Sequence, residues 1–124
     1  MASLGIYNET YFRNHPEECK KEGVLYCIVL VNKETQTREC VKIGIAKGKD
    51  WRHVLKRSNG FKYHEVRIQK TVTGNLEDIY YLEAYLHELW SDYKYAATKR
   101  FGGHTELFEI FKLPEILKSI PDKV

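Results

Sequence analysis

A chain of 124 residues is long enough for one hydrophobic core and too short for two independent ones. With 43% hydrophobic, 30% charged and 13% aromatic residues, the composition excludes a disordered tail, and no apolar run approaches the ~18 residues of a membrane span. The net charge of +3 is unevenly spread: residues 42–70 carry nine Lys and Arg against Asp50 and Glu65, a balance of +7 that leaves −4 for the rest. Basic charge concentrated on a neutral-to-acidic scaffold is the footprint of a polyanion binder.

In chain order, residues 1–22 read as a leader packed on a domain over 23–124. The first residues lack the charged-then-apolar layout of a signal peptide, so an intracellular, soluble protein is expected. Cys19, Cys27 and Cys40 are odd in number and form no CxxC, which points away from a disulfide framework or a zinc ribbon. Cys27 reads as a small buried apolar residue.

From residue 24, VLYCIVLV is apolar on both alternating faces and predicts a central strand. NKETQTR supplies a polar turn and ECVKIGIA a second strand, making a hairpin. In the second strand Val41, Ile43 and Ile45 share one face and Lys42, Gly44 and Ala46 the other. If even positions pair with even, Tyr26 joins Lys42 and Gly44 on one face. A glycine closing a strand before a lysine-rich loop admits a close approach, whether of a phosphate or of a packed neighbour. Gly44, Lys47, Lys49, Lys56 and Arg57 are thus candidate substrate contacts.

Asp50 can cap a short helix through about Ser58, with Arg52 in its opening turn and Trp51 as a packing residue. FKYHEVRIQKTV predicts a third strand whose alternation is only half clean, and His53 and His64 read as surface residues. NLEDIYYLEAYLHELWSDYKY is a long helix. Asn75 is its expected cap, and Ile79, Leu82, Leu86, Leu89 and Tyr93 form its apolar stripe. Glu83 falls roughly 70° from the centre of that stripe, on the border of the core, and His87 follows one turn later. A last short strand and a closing helix at PEILKSI complete the reading: a small antiparallel sheet of three to four strands flanked by helices, in the α+β class.

These parts suit phosphodiester hydrolysis. One carboxylate together with phosphate and water oxygens is how magnesium is usually held, and an arginine presents a fork of donors matched to phosphate. A tyrosine, with a pKa of about 10, is a poor base unless a cation lowers that value, which Lys42 is expected to do.

The series VLYCIV, VKIGIA, WRHVL and LEAYLHELW resembles the GIY-YIG endonuclease superfamily in order and spacing. The literal GIY at Gly5 to Tyr7 lies outside any apolar strand, and Val24-Leu25-Tyr26 is the counterpart. Lys42-Ile43-Gly44 resembles the second signature with lysine for tyrosine, as in a branch of small phage-type and meiotically up-regulated proteins that closes on E-x-F, here Glu106-Leu107-Phe108. The resemblance covers roughly residues 23–111 and implies one magnesium or manganese ion on Glu83. It implies Tyr26 as general base or relay, Arg52 steadying the scissile phosphate and Lys42 replacing the second tyrosine. His87 would be a proton shuttle or phosphate contact. Ile45 stands where many members place lysine, and Lys56 where a histidine or tyrosine is common.

The resulting expectation is a metal-dependent endonuclease that nicks DNA with weak sequence preference, RNA remaining open as substrate, and with a homodimer or partner protein supplying any specificity. The rival is a binding module for nucleic acid or protein that keeps the fold without catalysis.

Overall fold

Because every side chain of its middle is apolar, β1 (Glu22–Asn32) can be covered on both faces only at the centre of a sheet. A computed structural model, which describes residues 7–53, 62–96 and 106–124, places it there. β2 (Arg38–Lys47), β3 (His64–Asn75) and the short β4 (Leu107–Glu109) join it in an antiparallel four-stranded sheet of order β3-β1-β2-β4. The hairpin pairs even positions with even, Tyr26 facing Gly44 and Ile28 facing Lys42. Tyr26, Gly44 and Lys42 therefore share a face, as the alternation requires.

β3 begins and ends three residues later than its sequence pattern suggests. Cys27 pairs with Lys70 but Ile28 with Ile68, so Gln69 is an extra residue in the ladder. This bulge reverses the phase of the strand: Val66 and Ile68 lie on the face of Leu30 and Ile28, whereas Val72 lies on the face of Leu25.

The long helix α2 (Leu76–Leu89) covers the face built from Leu25, Cys27, Val29, Val41 and Ile43. Its buried residues are Leu76, Ile79, Glu83, Leu86 and His87. The expected stripe is thus rotated: Leu89 is 46% exposed, Leu82 is only partly covered, and Glu83 lies in the middle of the buried face at 1% exposure. Nor does the Asn75 side chain cap the helix. The backbone N–H groups of Leu76 and Glu77 donate instead to the carbonyls of Lys21 and Cys19, so the segment before β1 supplies the cap. That segment carries α1 (Glu9–Asn14), whose buried Phe12 packs on Tyr80 of α2.

The closing helix α3 (Leu113–Ser119) packs Leu113 and Ile116 into the same core, and Trp90 Nε1 donates to Ser119 Oγ at 3.0 Å. The opposite face of the sheet is built from Val24, Tyr26, Ile28, Leu30, Cys40, Ala46 and Leu107, with Trp51 packed against it. His64 is a buried residue, 3% exposed, and not a surface one. Its Nε2 lies 2.9 Å from Glu39 Oε1, which also accepts from Asn32, while the Tyr95 hydroxyl donates to Glu39 Oε2. Burial pushes the Glu39 pKa up, but those hydrogen bonds outweigh it and hold the carboxyl below its usual range. Among the described residues no helix is long and apolar enough to cross a membrane.

Candidate functional site

Gly44 sits opposite Tyr26, and the phenol ring lies over the space that a side chain at Gly44 would take. A Cβ there would come within 2.4 Å of the Tyr26 hydroxyl oxygen and 2.6 Å of Cζ. The glycine in the KIG strip is thus explained first by the tyrosine it faces. Trp51 stacks on the same ring, centroids 5.1 Å apart and planes 24° from parallel. The Lys42 ammonium lies 5.8 Å from the ring centroid and is paired with Glu106 Oε2. Glu106 reaches Lys42 because β4 is laid beside β2, with Leu107 opposite Lys42.

Burial is the largest influence on Tyr26, and it raises the phenol pKa. The carboxylates of Glu106 and Glu83 push the same way, while Lys42 opposes through its charge and a hydrogen bond. The expectation that Lys42 brings the phenol toward neutrality is therefore corrected: its influence has the expected sign, but desolvation is stronger. For Lys42 burial favours the neutral amine, and the surrounding Tyr26, Glu106 and Glu83 more than reverse this, so the pKa is raised. Near neutral pH the pair is a protonated phenol beside an ammonium.

α2 brings Glu83 and His87 to the other face of the sheet. His87 is buried, its Nε2 lies 3.0 Å from the Ile43 carbonyl, and its ring meets Phe108 edge-on at 5.0 Å. A carbonyl only accepts, so Nε2 carries the proton and Nδ1 does not. Burial lowers the His87 pKa and keeps the ring neutral. The contact seats α2 on β2 between Lys42 and Gly44. Glu83, one turn earlier, acts electrostatically on both Tyr26 and Lys42.

Arg52 is exposed and stands apart from the buried group. Its guanidinium lies 4.5 Å from the centre of the Trp51 ring, and its backbone N–H donates to Asp50 Oδ1 at 3.0 Å, the capping contact expected of Asp50. Lys47 Nζ lies 2.7 Å from Glu18 Oε1 in the segment before β1. Hydrogen bonds from Lys47 and Lys21 hold the Glu18 carboxyl down to about 2. Lys49 is exposed in the turn after Gly48, whose φ of 82° suits glycine. Lys56 and Arg57 lie outside the described residues.

Tyr26, Lys42 and Gly44 are thus brought together on one face of the sheet, with Arg52 linked to them through Trp51, whereas Glu83 and His87 stand on α2 at the other face. Trp51 and Glu106 are the members that sequence reasoning left out of the site. Glu106 already stood in the closing E-x-F strip, and its role depends on the β2–β4 pairing.

Among the described residues no three His, Cys, Asp or Glu side chains converge as a metal cluster. The donors near Tyr26 are carboxylate and hydroxyl oxygens, the type that magnesium and manganese take. The thiols of Cys27 and Cys40 are buried, with pKa values pushed up to about 12 by that burial, so they present no soft thiolate site.

A family model described as the T5orf172 domain matches residues 23–122, from the start of β1 past the end of α3. No curated protein and no solved structure matches.

Proposed function

The chain belongs to the T5orf172 domain family, and from that premise we propose that it is a divalent-metal-dependent endonuclease of the GIY-YIG kind. The family is phage-associated and related to GIY-YIG-like folds. The proposed reaction is nicking of DNA with little sequence preference. The observation that carries this reading is the meeting of Tyr26, Gly44 and Lys42 on one face of the β1–β2 hairpin, with Glu83 within electrostatic reach.

In this reading Glu83 holds the magnesium or manganese ion, which when bound would stabilise charge on the phosphoryl group and the leaving oxygen. Tyr26 keeps its proton near neutral pH and orients water by hydrogen bonding, acting as a relay more than as a base of its own. Lys42, charged, paired with Glu106 and 5.8 Å from the centre of the Tyr26 ring, stands where the second signature tyrosine would be. Arg52, exposed and held over Trp51, meets the scissile phosphate. His87 keeps α2, and with it Glu83, seated on β2.

One observation favours the rival reading, a nucleic-acid-binding module without turnover: Tyr26, Lys42, Glu83 and His87 are each only 1–2% exposed. Both readings are tested by incubating wild type and Glu83→Gln with supercoiled plasmid, with and without magnesium or manganese, and with an RNA of the same sequence alongside. The endonuclease reading expects metal-dependent nicked circles from wild type and none from the variant. A folded wild type that shifts plasmid at low salt and never nicks it would overturn that reading in favour of the binding module.

A further inference from the structure

The basic residues of this protein are not equally available. Lys42 is committed to Glu106, Lys47 to Glu18, and Lys70 to Asp122 and the Ile120 carbonyl. Arg38, Arg52 and Arg67 are instead exposed and line one open groove at the edge of the sheet, together with Val66, Ile68 and Gln69. No carboxylate lines this groove among the described residues. The ion pair of Arg67 with Glu65, at 3.3 Å, lies between two largely exposed side chains and is readily exchanged for another anion.

The bulge at Gln69 creates the groove's mixed character. By inserting one residue it turns Ile68 onto the face that carries Arg52 and Trp51, while Arg67 stays opposite Val29 on the other face. Ile68, 50% exposed, lines the groove on the side of Arg52, and Arg67 borders the same groove from the other side of the edge strand, with Arg38 completing its cationic lining. A surface with forked cationic donors around an apolar patch matches a chain that repeats phosphates along a less polar sugar framework.

We infer that this groove along the bulged edge of β3 seats the sugar–phosphate backbone of duplex DNA, next to the phosphate that Arg52 meets. The inference rests on the endonuclease reading for its substrate, and it moves the backbone contacts away from Lys47 to Arg38 and Arg67. Contacts of this kind are blind to sequence, which accords with a preference for any DNA over a particular site.

The test is fluorescence anisotropy with a short labelled DNA duplex in EDTA, where neither metal nor cleavage enters. Arg38→Gln and Arg67→Gln are each expected to weaken binding about eightfold at ~0.1 M salt and to lower the slope of log K against log salt by about 0.9, the value of one lost phosphate contact. Lys47→Gln, which removes a lysine already held by Glu18, is expected to change both little. Wild-type affinity and slope in folded Arg38→Gln and Arg67→Gln would overturn the inference, as would a wild type that fails to bind the duplex at low salt. Plasmid nicking decides the endonuclease reading separately: active protein with unchanged groove variants refutes only the groove, and inactive protein with weakened groove variants refutes only the chemistry.

Discussion

Tyr26 and Gly44 face each other across the β1–β2 ladder so closely that a single methyl group at Gly44 would come within 2.4 Å of the tyrosine hydroxyl. The two signature strips of the sequence are therefore one packing unit, in which the glycine's missing side chain is the tyrosine's seat.

Gly44→Ala is expected to destabilise the fold by about 1–3 kcal/mol, the usual cost of overpacking a filled core. Urea unfolding checks the magnitude. In a double-mutant cycle with Tyr26→Leu, the alanine should cost distinctly less, because the ring it collides with is gone. Additive effects would show that the two residues do not share this space in solution.

The Lys42–Glu106 pair predicts an asymmetry. Lys42 has a 3% exposed side chain and Glu106 a 14% exposed one, so the lysine is the member least able to reach water. Glu106→Leu leaves a buried ammonium without its closest carboxylate and is expected to cost about 3–5 kcal/mol. Lys42→Met should cost less, because Glu106 retains some access to solvent. Equal losses in thermal or urea denaturation would argue against the pair as described.

His87 predicts a pH dependence. Burial lowers its folded-state pKa below the ordinary 6.5, so the unfolded chain binds a proton in a range where the folded chain does not. Stability then rises with pH across that range: the contribution is complete above about 6.5 and is lost as pH falls toward the depressed folded value. His87→Gln can still donate to the Ile43 carbonyl but does not titrate. It should remove this part of the slope in a series of urea midpoints taken below pH 7. A wild type whose midpoint does not change over that range would show that the ring is not buried neutral.

Much of the site was legible because strand alternation is a local property. Each Cβ direction follows from its own backbone, so Lys42, Gly44 and Ala46 had to share a face once β2 formed, and Tyr26 had to join them once the even register held. The antiparallel sheet with flanking helices was legible for the same reason, including its central strand, apolar throughout. The β3 bulge was not legible: Val66, Ile68 and Val72 all stand at even positions, which alternation places on one face, and only the pairing with β1 shows that Gln69 is extra and Val72 faces the other way.

Other features depended on distant segments. The helical periodicity of residues 76–89 establishes a helix, but the sector that faces the sheet is set by what it docks against. The Ile43 carbonyl takes His87, and Glu83 turns inward with it while Leu89 is left in solvent. His64 is buried against Glu39, a carboxylate that the Tyr95 hydroxyl also reaches from far along the chain. Lys42 is claimed by Glu106, 64 residues later, and Lys47 by Glu18, 29 residues earlier. By itself the sequence determined the elements, their faces and the residues at hand for the chemistry, because dihedral preference and side-chain direction are properties of neighbouring residues. Tertiary structure alone decided which charges are committed and which remain open in the groove, because an ion pair or a buried hydrogen bond requires two remote segments to be brought to the same place.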